Sequence, residues 1–203
     1  AESHQALFVN YSYILKINEK VNLSMGLAAG VSYFSLDGQK LIYESVDDPS
    51  IPLNRVNSIR FDPKMGLFLY SERFFAGLSV TDMLGDLIES PDGFVASQER
   101  HYYFTTGYVF DIGKEAKAKP SVLIREDFKA PTNIDVTTHF LFKNTFWIGA
   151  TYRFGANLIT SPSLDNSLRK RDALIFMTQW NINPSLVIGY AYTHSLTVLS
   201  SFA

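Results

Sequence analysis

Alternation of apolar and polar side chains with a period of two residues is the feature that most constrains the fold of this chain. Residues 21–34 show it most clearly: one side of this segment is apolar throughout, and the other side carries mainly small or polar residues. Successive side chains of a β-strand point to opposite faces, so the pattern predicts a strand. The predicted strand is much longer than the usual 5 to 6 residues, taken as a rough average.

Similar alternating segments recur along the whole sequence. They predict about ten strands, no amphipathic helix, and an all-β fold in a single domain that covers residues 1–203. The predicted strands cover residues 6–17, 21–34, 58–70, 74–81, 99–112, 119–128, 133–142, 146–154, 172–181 and 186–195.

The lengths of the links between these strands carry an independent signal. Short links are predicted at residues 18–20, 71–73, 113–118, 143–145 and 183–184, and long links at 36–57, 82–98 and 155–171. Short and long links nearly alternate; only the link around Ala130, Pro131 and Thr132 is short where a long one is expected. This parity is typical of antiparallel outer-membrane β-barrels, which have tight periplasmic turns and larger external loops.

A lipid bilayer explains the strand length and the one-sided placement of charge. Spanning strands need about 9 to 11 residues, and their backbone groups must all be paired, which requires a closed barrel. The charged residues of the strands fall on the faces opposite the apolar ones. We therefore predict a lumen-facing polar network of Arg60, Asp62, Lys64, Arg125, Asp127, Asp135, His139 and Arg153.

Two roles remain open for this predicted network. The mixture of positive and negative residues favours mutual salt bridges that fill the interior of the barrel. Residues of opposite sign pair with one another, whereas a pore that selects ions is lined mainly by charges of one sign. Alternatively, the same residues line a pore or bind a translocating segment.

A soluble barrel or sandwich is the competing fold, with the apolar faces inside and the polar faces outside. Periodicity alone does not say which face is inside. The long strands, the tight turns, and the 16 Phe and 11 Tyr set against only 19% charged residues favour the membrane.

Several classes of chemistry are excluded by composition and spacing. The chain has no cysteine, its four histidines are scattered, and no nucleophile elbow or phosphate-binding glycine loop occurs. We therefore predict no enzymatic activity, catalytic residue, metal or cofactor. A formal net charge of −2 gives no indication of nucleic-acid binding. Charged loop segments are possible sites for a cation, a partner or lipopolysaccharide, but solvated loops are the commoner explanation. They are Glu44, Asp47, Asp48, Asp82, Asp86, Glu89 and residues 169–171.

An ordered set of segments between residues 101 and 195 adds a family resemblance. The segments are HYYFTTGYVF (101–110), KPSVL (119–123), AP (130–131), FLF (140–142), FWIGATYR (146–153), DA (172–173) and IGYAY (188–192). Together they resemble the PorP/SprF family of Bacteroidetes outer-membrane proteins, associated with type IX secretion and gliding motility. The resemblance covers about half of the chain.

The resemblance implies a multi-pass protein of the outer membrane, in contact with its lipids. Such a protein is expected to help export or anchor a secreted surface protein, such as an adhesin, and to contact type IX secretion components. The alternative is an outer-membrane channel or transporter for small solutes. Because family members have further strands at both ends, we expect 12 to 14 strands in the full protein.

Overall fold

The structure, a computed structural model, describes residues 2–37, 55–84, 99–158 and 172–196. These residues form strands and connecting turns, and no helix occurs among them. The strands are β1 (Glu2–Lys16), β2 (Asn22–Asp37), β3 (Arg55–Tyr70), β4 (Phe74–Thr81), β5 (His101–Tyr108), β6 (Phe110–Ile112), β7 (Ala116–Glu126), β8 (Thr132–Phe142), β9 (Phe146–Ala156), β10 (Ala173–Asn183) and β11 (Leu186–Ser195).

All these strands belong to one antiparallel sheet. The path runs through ten strands in sequence order, β1-β2-β3-β4-β5-β7-β8-β9-β10-β11, and β6 pairs with β7 beside it. Each strand on the path lies next to its neighbours in sequence, as in a meander of hairpins. The all-β antiparallel architecture is therefore confirmed, and it is consistent with a β-barrel, although β1 and β11 do not pair in the part of the chain that the structure describes.

The chain divides into two compact units. The first unit comprises Ala1–Tyr13, Met25–Gly66 and Ser79–His101. The second comprises Ile14–Ser24, Leu67–Leu78 and Tyr102–Ala203. The residues of the predicted polar network are distributed over both units: Arg60, Asp62 and Lys64 lie in the first unit and the other five in the second.

The predicted strands all occur, with corrections at three places. The prediction of one strand over 99–112 is wrong at Val109, whose N–H donates to Arg73 O at 2.7 Å, so that β5 and β6 are separate. The predicted turn at 113–118 is shorter, because β7 already begins at Ala116. The predicted strand over 119–128 ends at Glu126, and the two residues that follow belong to a turn.

The links between strands fall into described turns and undescribed segments. The turns after β1, β3, β6, β8 and β10 are short, as predicted. Residues 38–54, 85–98 and 159–171 lie outside the described residues, and with them most of the predicted long links, the acidic residues Glu44, Asp47, Asp48, Asp86 and Glu89, and the basic residues 169–171.

The distribution of side chains is inverted relative to a soluble domain. In β2, Met25, Leu27 and Val31 are exposed, whereas Gly30 and Ser32 are buried. Over the described residues, the only buried apolar side chains are Leu141 and Ala173, and no large side chain is fully buried. The buried polar residues are Ser32, Ser35, Arg60, Asp62, Thr132, Asp135 and Thr151. No described helix is long and apolar enough to cross a membrane.

Candidate functional site: the polar face of the sheet

A short run of charges in β3 forms the polar group of the first unit. Arg60, Asp62 and Lys64 are spaced two residues apart and therefore share one face of the strand. Arg60 is 7% exposed and Asp62 is 4% exposed. Lys64 Nζ lies 3.1 Å from Asp62 Oδ2 and 3.9 Å from the centre of the Phe8 ring, so a carboxylate and an aromatic face hold the same ammonium group.

Phe8 also explains a small residue in β2. A Cβ atom placed on Gly30 would lie 2.2 Å from Phe8 Cδ1, so only glycine leaves room for this ring. The Phe8 ring thus packs against the backbone of Gly30, and the Lys64 ammonium group lies against the face of the ring. Glycine at this position serves close packing of the polar face.

The second unit contains a three-residue ion cluster. Arg153 binds Asp135 in a bidentate arrangement, with Nε to Oδ1 at 2.8 Å and NH2 to Oδ2 at 3.0 Å. Arg125 NH2 reaches the same carboxylate at 3.1 and 3.0 Å and also donates to Asn133 Oδ1 at 3.3 Å. Asp135 is 5% exposed, so its carboxylate is buried between two guanidinium groups. This is the charge-assisted, fork-shaped geometry that binds a carboxylate most strongly.

Strand register produces this cluster. Asp135 is the direct cross-strand partner of Arg153, and Asn133 is the partner of Arg125. Arg125 and Asp135 are therefore diagonal neighbours on one face, within reach of a long side chain. Alternation along the strands predicts the shared face, and the turn between β7 and β8 sets the register that makes the contact.

Asp127 does not join this cluster. It lies in the turn after β7, where Oδ1 accepts the N–H groups of Lys129 at 2.9 Å and Ala130 at 2.7 Å. An aspartate that accepts backbone N–H groups two and three residues further on stabilises a turn. Its predicted place on a strand face is wrong, because the local turn uses the carboxylate.

His139 lies in a third part of the polar face. It is the cross-strand partner of Lys119 on one side and of Gly149 on the other. Its ring meets the Trp147 ring edge to face, with the centroids 6.1 Å apart, and a Cβ on Gly149 would lie 2.4 Å from His139 Cδ2. Lys119 Nζ lies 4.9 Å from the centre of the same tryptophan ring. The His139 Nδ1 atom is buried without a hydrogen-bond partner among the described residues.

Three further residues of this face, Lys117, Lys119 and Trp147, are not part of the predicted polar network. Lys117 and Lys119 lie an even number of positions before Arg125 in β7, and Trp147 lies an even number before Arg153 in β9. The period of two that locates the arginines therefore places these residues on the same face. Lys117 escapes the sequence prediction because it falls within the predicted turn, and Trp147 because it is an apolar residue type. Lys119 begins the predicted strand over 119–128 with the parity of Arg125, so the alternation could have located it.

Among the described residues, the polar face carries ion pairs, hydroxyl groups and aromatic contacts. Thr137 and Thr151 share a hydrogen bond at 2.7 Å between their hydroxyl oxygens. Within residues 2–37, 55–84, 99–158 and 172–196, no group of three or more His, Asp or Glu is arranged to hold a metal ion. The chemistry that this face offers is recognition of charge and hydrogen-bonding groups.

Taken together, antiparallel strands with exposed apolar faces and a buried, charged opposite face define the class of β-sheet membrane proteins. A comparison with protein families identifies the family: the profile of the type IX secretion system membrane protein PorP/SprF matches residues 2–203. The chain therefore belongs to the PorP/SprF family, and the resemblance found in the sequence is confirmed. The comparison with curated proteins finds no match.

Proposed function

We propose that this chain spans the outer membrane as a single β-barrel domain whose exposed apolar faces contact lipid and whose polar network faces the lumen. The observation that carries the proposal is the inverted distribution of side chains, with Leu, Ile, Val, Phe and Tyr exposed on strands that bury Arg60, Asp62 and Asp135. In water, so large an apolar surface is unfavourable at about 25 cal/mol per Å². In a bilayer the same surface is solvated by acyl chains.

Within the secretion system, we propose that the barrel helps export or anchor a secreted surface protein such as an adhesin. Two observations support this role. The family is defined as a membrane component of type IX secretion. The polar face also carries the salt bridges of Asp135 with Arg125 and Arg153, which join β7, β8 and β9 side by side, as an anchor requires. The proposal assigns no catalytic role, cofactor or metal to the chain, and no nucleic-acid partner.

The experiment combines membrane fractionation with purification of the affinity-tagged protein from its native cells in mild detergent. We expect the protein in the outer-membrane fraction, soluble only with detergent, and a secreted surface protein or secretion-system subunit in stoichiometric amount in the eluate. Cells that express the untagged chain provide the control for non-specific capture.

Each part of the proposal has an outcome that contradicts it. Recovery of the protein without detergent contradicts the membrane assignment. If the protein is crosslinked in intact cells and is still recovered from the membrane without another protein, the partner role is contradicted. The membrane assignment is unaffected by that result.

A channel or transporter for small solutes is the second candidate function. It is favoured by Lys117 and Lys119, which are half-buried on the polar face and have no carboxylate within ion-pair distance among the described residues. The two candidates differ in conductance. A channel conducts ions steadily in planar bilayers, whereas an anchor with a filled interior is silent.

A further inference from the structure

The polar face of β7, β8 and β9 carries more positive than negative charge. Its cationic residues are Lys117, Lys119, Arg125 and Arg153, and its carboxylate is Asp135. Glu126, the other acidic residue of these strands, has its carboxylate oxygens engaged by Phe128 N–H and the Thr132 hydroxyl at the turn. One carboxylate thus faces four permanent cations.

Neighbouring strands do not supply the missing negative charge. Arg125 faces Tyr103 of β5, and Gly149 faces Met177 of β10. Asp111 of β6 is the cross-strand partner of Lys117, but its Oδ2 lies 2.6 Å from Arg73 NH2, so another cation holds it. Within the described residues of the second unit, Asp135 is therefore the one carboxylate paired with a cation of this face, and Lys117 and Lys119 have no ion-pair partner.

Two buried nitrogen atoms on the same face also lack partners. Arg125 Nε and His139 Nδ1 are both buried, and neither has a hydrogen-bond partner within the described part of the chain. Native structures rarely leave such atoms unpaired, and each unpaired atom calls for an explanation. Arg125 Nε lies at the end of the face that carries Arg125 and Arg153. His139 Nδ1 lies at the other end, beside Lys119.

We propose that this face, which we name the cationic strip and define as Lys117, Lys119, His139, Arg125 and Arg153, binds a carboxylate-rich ligand in extended conformation. The inference deepens the proposed function and rests on it, because it states what chemistry the interior of the barrel recognises. Carboxylates match both the fork of a guanidinium and the point charge of an ammonium group.

The spacing of the cations favours a ligand with several carboxylates. Lys119 and Arg125 are six positions apart in β7, about 20 Å at the rise of a β-strand. Between them on the same face lie the neutral hydroxyl groups of Ser121, Thr137 and Thr151. Asp135, the cross-strand partner of Leu123, also lies there, and its carboxylate is already held by Arg125 and Arg153. A ligand long enough to reach both cationic ends binds more tightly, because its two ends bind at the same time. A single carboxylate reaches only one end.

The test measures binding of dye-labelled hexaglutamate by fluorescence anisotropy to the full chain, folded in detergent micelles. An extended hexapeptide is about 20 Å long, matching the strip. We expect saturable binding at least about 10-fold tighter than that of free glutamate, which competes as a single carboxylate. Binding weakens as the ionic strength rises towards about 1 M, where the screening length falls to about 3 Å.

Variants locate the binding on the strip. Lys119→Gln and Arg125→Gln each weaken hexaglutamate binding about 10-fold, the loss expected for one charge-assisted hydrogen bond. Arg125→Gln keeps the bidentate pair of Asp135 with Arg153, so the cluster retains its fold. The matched control is Lys20→Gln in the exposed turn after β1, which changes affinity by less than about 2-fold.

Trp147 reports the place of binding directly. In a Trp180→Phe background it is the only tryptophan, and Lys119 Nζ lies over its ring. We expect hexaglutamate, but not hexalysine, to change Trp147 fluorescence with the same midpoint as the anisotropy. Equal binding of hexalysine, or no anisotropy change with hexaglutamate, overturns the inference. Neither outcome bears on membrane location or partner recovery, so failure here and failure of the proposed function remain distinguishable.

Discussion

Asp135 and Asp111 are both paired with arginine, yet their surroundings differ. Asp135 is buried between Arg125 and Arg153, whereas the Arg73–Asp111 pair leaves 56% and 45% of the two side chains exposed. Exposed pairs are screened by water and contribute little, while removal of one partner of a buried pair leaves an uncompensated charge. Burial, and not the number of ion pairs, decides what each residue contributes.

The first prediction compares the two aspartates. Asp135→Asn lowers the free energy of unfolding by about 2 to 3 kcal/mol, below the full cost for a buried pair because both arginines remain partly exposed. Asp111→Asn costs less than about 1 kcal/mol. Urea unfolding in lipid vesicles, followed by tryptophan fluorescence, measures both. Equal costs for the two variants contradict the difference in burial.

At this scale the sequence predicts which residues share a face, but not which ones touch. Alternation places Arg125, Asp135 and Arg153 together because a strand has a strict period of two. The contact of Arg125 with Asp135 depends on register, which the β7–β8 turn sets. The failure at Asp127 has the same origin, since nothing in the alternation signals that its carboxylate binds the backbone of the turn.

The hairpin of β8 and β9 shows how a turn fixes a pair of strands. Thr145 N–H donates to Phe142 O at 3.0 Å, and the central residues Lys143 and Asn144 have φ values of 49° and 54°. Two left-handed residues in succession are typical of the type I′ turn, whose twist matches that of the flanking strands. Asn tolerates this conformation well, and Lys tolerates it poorly.

The second prediction follows from Lys143. Lys143→Asn raises the free energy of unfolding by about 0.5 to 1 kcal/mol, because it relieves part of the left-handed strain. The matched control is Lys114→Asn in the turn after β6, where only the neighbouring Gly113 has a positive φ and no gain is expected. The same unfolding experiment measures both, and a gain of equal size at Lys114 contradicts the turn argument.

Among the elements, the existence of every strand on the sheet path was predictable, but the ends of some strands were not. Long alternating segments identify a strand without reference to its neighbours. The break at Val109 arises from a hydrogen bond to Arg73 O in the preceding hairpin, a contact made across the sheet. No local pattern encodes that bond.

The orientation of the faces belongs to the whole molecule. Alternation is symmetric, so a sequence reads the same whether its apolar face points inward or outward. The structure distinguishes the two cases: Leu27 and its neighbours of the same parity in β2 are exposed, and Ser32 is buried. This distribution favours the membrane fold over the soluble alternative.

The third prediction tests that orientation. Leu27→Arg lowers the free energy of unfolding in lipid vesicles by about 2 to 4 kcal/mol, the cost of a cation on the lipid face near mid-depth. Glu19→Arg, in the exposed turn after β1, changes it by no more than about 0.5 kcal/mol. If the sheet were soluble, Leu27, which is exposed, would face water, and arginine would be tolerated there. Indifference of stability to Leu27→Arg contradicts the membrane orientation.

The scarcity of buried apolar side chains among the described residues has a consequence for where this chain can fold. A folded state in water is normally maintained by the burial of apolar area, and the described residues bury only Leu141 and Ala173 of that kind. Burial of apolar side chains among the described residues therefore contributes little to the stability of the sheet in water. If the chain spans the membrane as proposed, its folding is expected to accompany insertion, because the exposed apolar strand faces favour aggregation while they remain in water.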